Sequence, residues 1–221
     1  MSKVIEVKDL KLVLGGRTIL NIPHFSISRE EYISIMGPNG AGKSSLLLIL
    51  AALQEPTSGV VSYFGRELKE QSVLDVRRRM AMVFQKPMLL RGTVMDNAEI
   101  GLKFRNIDRK ERERRVRPWL EKLRIDHLAR QRAHSLSGGE AQRVALAQAL
   151  VLEPEIIFLD EPFANLDRKI RLELIEEIAR ILREHKITTV LVTHSRKEAE
   201  AITDKVYLLE DGEIVEIENL N

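Results

Sequence analysis

The sequence predicts an α/β domain with a mainly parallel sheet, on three observations. Short apolar segments alternate with amphipathic ones, a glycine-rich loop stands between an apolar segment and a helical run, and one long charged stretch interrupts the strand pattern. Residues 4–7, 32–36, 60–64, 81–84, 156–159, 188–192, 206–209 and 214–217 have the apolar, β-branched character of strands. Residues 168–183 place Ile170, Leu174, Ile178, Ile181 and Leu182 on one helix face, with Glu173, Glu176, Glu177 and Arg180 elsewhere. Between 87 and 152 the strand signals stop and charged helical sequence takes over, which predicts a helical subdomain inserted into the α/β core. A chain of 221 residues with 44% hydrophobic content and no internal repeat is expected to form one packed domain over 1–221.

The lack of cysteine excludes disulfides, thiolate metal sites and cysteine nucleophiles, and the cytosol is the expected setting. The opening SKVIEV is not an apolar signal segment, and the longest apolar stretch, 46–53, is too short to span a bilayer. Any tie to a membrane is therefore expected to run through another protein. Lys and Arg number 35 against 33 Asp and Glu, so no overall field draws in nucleic acid or anionic lipid. Arg77-Arg78-Arg79 and the run 109–115 are locally basic, but the second interleaves Glu111 and Glu113, as a solvated helix face does.

Gly37-Pro38-Asn39-Gly40-Ala41-Gly42-Lys43-Ser44 has the pattern of a phosphate-binding loop. An apolar strand ending at Met36 precedes it and a helical run over 45–53 follows, the context that separates such a loop from a plain glycine turn. Glycines let successive backbone N–H groups turn inward, the helix N-terminus adds positive charge, Lys43 reaches the outer phosphates and Ser44 holds Mg²⁺.

Ile156-Ile157-Phe158-Leu159 leads into Asp160-Glu161, a buried strand ending in two carboxylates. Taken alone this could be an acidic turn. Beside a phosphate loop, Asp160 suits Mg²⁺ and Glu161 suits the water that attacks the γ-phosphate, since an ionised carboxylate can orient that water and accept its proton. Leu136-Ser137-Gly138-Gly139-Glu140-Ala141-Gln142-Arg143 supports two readings at once. Ser137 and Glu140 have capping-box spacing, and a glycine-rich helix start with a serine hydroxyl is also an anion site.

With those three elements in place, LSGGEAQR resembles the signature motif of the ABC ATPases, and the resemblance covers nearly the whole chain. It implies a P-loop NTPase RecA-like core, an N-terminal antiparallel β region, and a helical subdomain carrying the signature. It also implies an ATP site that includes Ser45, Gln85 in VFQKP at the metal or attacking water, and His194 in LVTHS on the γ-phosphate. Ala164-Asn165-Leu166-Asp167 resembles the D-loop. Where many members stack an aromatic ring on adenine, the aligned residue here is Leu14, which implies a weaker and less base-selective contact. His24, His127, His134 and His185 match no motif.

The resemblance further implies a head-to-tail dimer of two copies, with ATP between the P-loop of one and Ser137, Gly138, Gly139, Glu140 and Asp167 of the other. An importer motor is the expected role: a cytoplasmic subunit on the inner face of the membrane, docked on a separate transmembrane permease and indirectly on a solute-binding protein. The segment FQKPMLLRGTVMDN is similar to ATPases that import tetrahedral oxyanions, tungstate above molybdate and phosphate. The chain is expected to lack the C-terminal regulatory domain of some sugar and molybdate importers. A lipoprotein-release or cell-division ATPase shares every motif. A soluble relative acting on DNA or ribosomes is disfavoured, because no long coiled coil or second nucleotide domain is evident.

Overall fold

The structure is a computed structural model that describes residues 2–220. The single domain expected over 1–221 therefore includes Met1 and Asn221, which lie outside the described residues. Two sheets carry the fold. The first is antiparallel, in the order β2-β1-β4-β5, with β1 Lys3–Leu14, β2 Arg17–Ser28, β4 Ser58–Tyr63 and β5 Arg66–Glu67. The second runs β10-β9-β3-β8-β7-β6, from β3 Tyr32–Met36, β6 Met80–Val83, β7 Ile156–Asp160, β8 Thr188–Val192, β9 Lys205–Glu210 and β10 Glu213–Asn219. Its strands are parallel except β10, which folds back on β9 through Asp211-Gly212, both at positive φ as a tight hairpin requires.

The helices are α1 Lys43–Leu50, α2 Val73–Arg78, α3 Val94–Phe104, α4 Arg109–Lys122, α5 Gly138–Leu150, α6 Arg168–Glu184 and α7 Arg196–Ile202. Alternate residues of β7 feed two cores. Ile157 and Leu159 pack with α3, α4, α5 and α6, while Ile156 and Phe158 pack with α1 and the antiparallel sheet. A sheet covered on both faces explains why its strands read as continuous apolar runs.

Three expectations need correction. The helix after the glycine loop is α1, Lys43–Leu50, rather than 45–53: Gly42 is its N-cap, and Ala52 at φ 55° has already left the helix. The apolar segment at 4–7 is part of a strand of 12 residues, Lys3–Leu14, whose alternation is hidden by register shifts against both neighbours. The whole of β2 was absent from the strand pattern because Pro23 and His24 interrupt it; as the edge strand of its sheet, β2 tolerates a proline.

A buried ion pair ties α5 to α6. Arg143 of α5 bonds Glu177 of α6 and also donates to the Leu123 carbonyl at 3.1 Å, with both charged side chains less than one-tenth exposed. Removing one partner strands the other charge in the core, which costs about 3–5 kcal/mol. Glu177→Ala is therefore expected to lower the unfolding free energy by that amount in urea denaturation, and an unmoved midpoint would contradict it.

Candidate functional site

Four neighbouring parallel strands, β3, β8, β7 and β6, end on the same edge of the sheet, and each leads directly or within two residues to a group of interest. The glycine loop leaves β3, His194 follows β8, Asp160-Glu161 closes β7, and Gln85 follows β6. Residues scattered over the sequence thus meet in the crevice beyond the strand ends, where open α/β sheets bind ligands.

The loop is built around its glycines. Gly37 sits at φ 149°, and a Cβ there would lie 2.0 Å from the Leu209 carbonyl oxygen. Gly42, at φ 99°, would meet the Leu20 side chain at 2.7 Å and the Ile19 carbonyl oxygen at 2.9 Å. Pro38, Asn39, Gly40 and Ser44 are exposed, Ala41 is buried, and Ser45 is half-buried. Lys43 is buried, with Nζ donating to the Gly37 and Pro38 carbonyls at 2.9 and 2.8 Å. Burial pulls its pKa down, while Glu161 and Asp160 push it back up.

Glu161 stands at φ 44°, in the left-handed region that non-glycine residues seldom occupy, and its N–H donates to the Val192 carbonyl at 2.9 Å. Its carboxylate is held from two sides: His194 Nε2 lies 2.7 Å from one oxygen, and Gln85 Nε2 donates to the other at 3.3 Å. Ser44 Oγ donates to Asp160 Oδ1 at 3.4 Å. Burial, then the neighbouring Glu161, pushes the Asp160 carboxyl above the usual aspartate range. Among the described residues no cluster of three or more His, Cys, Asp or Glu could hold a metal. The oxygen pair of Ser44 and Asp160 suits instead a hard cation such as Mg²⁺ that takes its other oxygens from phosphate and water.

Ser137 to Glu140 form a separate group, and among the described residues no hydrogen bond or ion pair links them to the glycine loop. Ser137 and Gly138 are exposed at the start of α5. The Ser137 N–H and Oγ donate to Glu140 Oε2 at 2.8 and 2.7 Å, and these bonds hold Glu140 below the usual carboxylate range. A Cβ at Gly139 would lie 3.0 Å from Ile170 Cγ2 and 4.0 Å from Leu166 Cδ2, so the start of α5 lies close against the segment that carries exposed Asn165 and Asp167. Leu14 is 50% exposed at the tip of the β1–β2 hairpin, the hairpin whose Ile19 and Leu20 abut Gly42.

Sequence reasoning missed the support behind His194. Glu198 is buried and accepts from Thr193 Oγ1 at 2.5 Å, while the Ser195 N–H donates to the same hydroxyl at 3.0 Å. The S-x-x-E spacing of Ser195 and Glu198 signals the helix start, and Ser195 does cap α7. The carboxylate, however, turns inward to Thr193, and burial raises its pKa.

The family profile described as "ABC transporter" matches residues 20–164. The chain is 38% identical over 213 residues to the tungstate uptake system ATP-binding protein TupC of Peptoclostridium acidaminophilum, covering 96% of this chain and 97% of that protein. It is 38% identical over 219 residues to the sulfate/thiosulfate import ATP-binding protein CysA of Pectobacterium atrosepticum, covering 96% of this chain but 66% of that protein's length. In structure it is similar to the ATP-binding cassette MJ0796, solved as a dimer in a post-hydrolysis state with ADP and Pi. The TM-score is 0.89 at 30% identity, covering 98% of this chain and 99% of that one.

The raised pKa of Asp160 has a sign that can be checked. A carboxyl whose folded pKa lies above its unfolded value contributes stability below the unfolded value and loses it as pH rises through the folded one. Asp160→Asn cannot ionise but still accepts from Ser44. It is expected to raise the thermal midpoint of the nucleotide-free chain near neutral pH, with the gain shrinking as pH falls into the ordinary carboxylate range. Thermal scans across pH decide it, and a lower midpoint near neutrality would count against the burial argument.

Proposed function

This chain belongs to the ABC transporter family, and from that premise we propose that it is the ATP-hydrolysing motor of an importer whose cargo is an oxyanion of the tungstate class. The observation that carries the catalytic half is the two-sided hold on Glu161 by His194 and Gln85, at the mouth of the loop that contains Lys43. A carboxylate so fixed orients the attacking water and takes its proton. Lys43, leaving the loop carbonyls for the outer phosphates, stabilises the charge that develops on them. His194 reaches the γ-phosphate, while Ser44, Asp160 and Gln85 would hold Mg²⁺, whose charge offsets that of the phosphates.

Ser137 to Gly139, with Glu140 and Asp167 beside them, serve the nucleotide of a second copy. The exposure of Ser137, Gly138 and Asp167 supports that role. Two copies head to tail then enclose two ATP molecules, and loss of the γ-phosphate removes the charge that both surfaces share. Leu14 supplies an aliphatic rather than a stacking contact to the base. No helix of the described residues is long and apolar enough to cross a membrane. The motor is peripheral on the inner face, coupled through a permease and, beyond it, a solute-binding protein. Near full-length similarity to a tungstate-system ATPase supports the cargo class.

Glu161→Gln is expected to keep ATP binding, slow turnover by about a hundredfold or more, and trap a dimer in ATP that size-exclusion chromatography resolves. Unchanged turnover would remove Glu161 from its role. For the cargo, the complex copurified with its membrane partner is expected to hydrolyse ATP faster when tungstate and the binding protein are supplied. A complex indifferent to every oxyanion would point to lipoprotein release or cell division instead.

A further inference from the structure

Where α4 meets the C-terminal end of α6, a cavity of about 470 Å³ opens to solvent, and it shares no residue with the strand-end site. Arg114, Arg115, Trp119 and Lys122 of α4 line it, together with Glu153 from the loop before β7 and His185 at the end of α6. Lys122 Nζ lies 2.8 Å from His185 Nε2 and 5.0 Å from the centre of the Trp119 ring. The Trp119 and His185 rings are 4.9 Å apart, inclined at 44°.

An ammonium only donates, so His185 Nε2 must accept and the imidazole is neutral. Among the described residues, then, the polar partner of Lys122 is another basic group and not a carboxylate. Arg114 and Arg115 share a single carboxylate, Glu111, at 2.7 and 2.6 Å. Three permanent cations thus face two carboxylates, Glu111 and Glu153, around one cleft. The next acid along α6, Glu184, is paired with Arg180 at 3.0 Å. Burial first, and Lys122 second, hold His185 below the ordinary histidine range, against the opposite pull of Glu184 and Glu153.

We propose that this cleft binds a tetrahedral dianion of the phosphate or sulfate class, either free or carried on a lipid headgroup. Such an anion takes Lys122 off the imidazole, offers acceptors to the two guanidiniums, and lets His185 gain a proton and donate as well. It converts a contact between two bases into two charge-assisted bonds.

Trp119 is the chain's one tryptophan, so fluorescence excited at the red edge, beyond the absorption of the three tyrosines, reports from the cleft. The test titrates sulfate, dianionic throughout the range used, into the full chain at constant ionic strength, with ADP saturating the P-loop. Phosphatidic acid vesicles run in parallel against phosphatidylcholine. A saturable change is expected with sulfate, which assigns a free anion, or with phosphatidic acid alone, which assigns a headgroup. Binding of sulfate, whose charge does not change, is expected to tighten several-fold from about pH 8 to about pH 6 as His185 takes its proton. Lys122→Ala is expected to weaken it about tenfold, and His185→Gln to bind at the higher pH while losing the pH dependence. Fluorescence unmoved by either ligand, an equal response to chloride, or an undiminished response in Lys122→Ala overturns the site.

Discussion

Two consecutive carboxylates beside a buried lysine set the terms for the rest of this molecule. Asp160 and Glu161 close one strand, yet the left-handed backbone at Glu161 turns their side chains to different partners: Asp160 to Ser44, Glu161 to Gln85 and His194. Such an arrangement cannot be supported locally, because the partners come from three other strand ends. It needs the strand order β3-β8-β7-β6, and that order needs helical crossovers on the faces of the sheet, which the two cores supply.

The same dependence extends to the glycine-capped helix. Its first turn lies against Leu166 and Ile170, and its second is anchored by Arg143 on Glu177, so the start of α5 and the loop 164–167 share a common base. A buried ion pair contributes little net stability compared with apolar side chains of the same size. What it does here is tie elements together: Arg143 bonds Glu177 of α6 and the Leu123 carbonyl at the end of α4 at once. Ser137 is thereby held at the surface, and Asp167 with it.

The parts of the site read most easily from sequence were those in which chemistry imposes spacing. The loop from Gly37 to Ser44, the Asp160-Glu161 pair and the Ser137–Glu140 box each place polar groups at intervals that backbone geometry dictates. The parallel strands were equally legible, because burial on both faces leaves only apolar residues. Residues 17–28 were not, since an edge strand can carry Pro23 and His24 at little cost, and a pattern method counts them as breaks. The inward turn of Glu198 was hidden for another reason. Its spacing from Ser195 satisfies a cap, and only the packed structure shows the carboxylate bound to Thr193 behind His194. His185 carried no motif at all; its meaning depends on α4 crossing the end of α6, a contact between positions 63 apart in sequence at Lys122 and His185.

The two surfaces proposed to hold the nucleotide already make bonds to themselves, and this bears on how it could close them. Lys43 gives two of its three N–H donors to its own loop carbonyls, and Ser137 donates its hydroxyl to Glu140 on its own helix. A phosphate that takes over one of these donors gains only the difference between an ionic partner and a neutral or internal one. A ligand with a single weak charge gains little at either place. A triphosphate that reaches both surfaces at once collects two such differences in one event. In the proposed dimer these internal bonds raise the threshold for closure, and weakening either should make closure less selective for the nucleotide with the most charge.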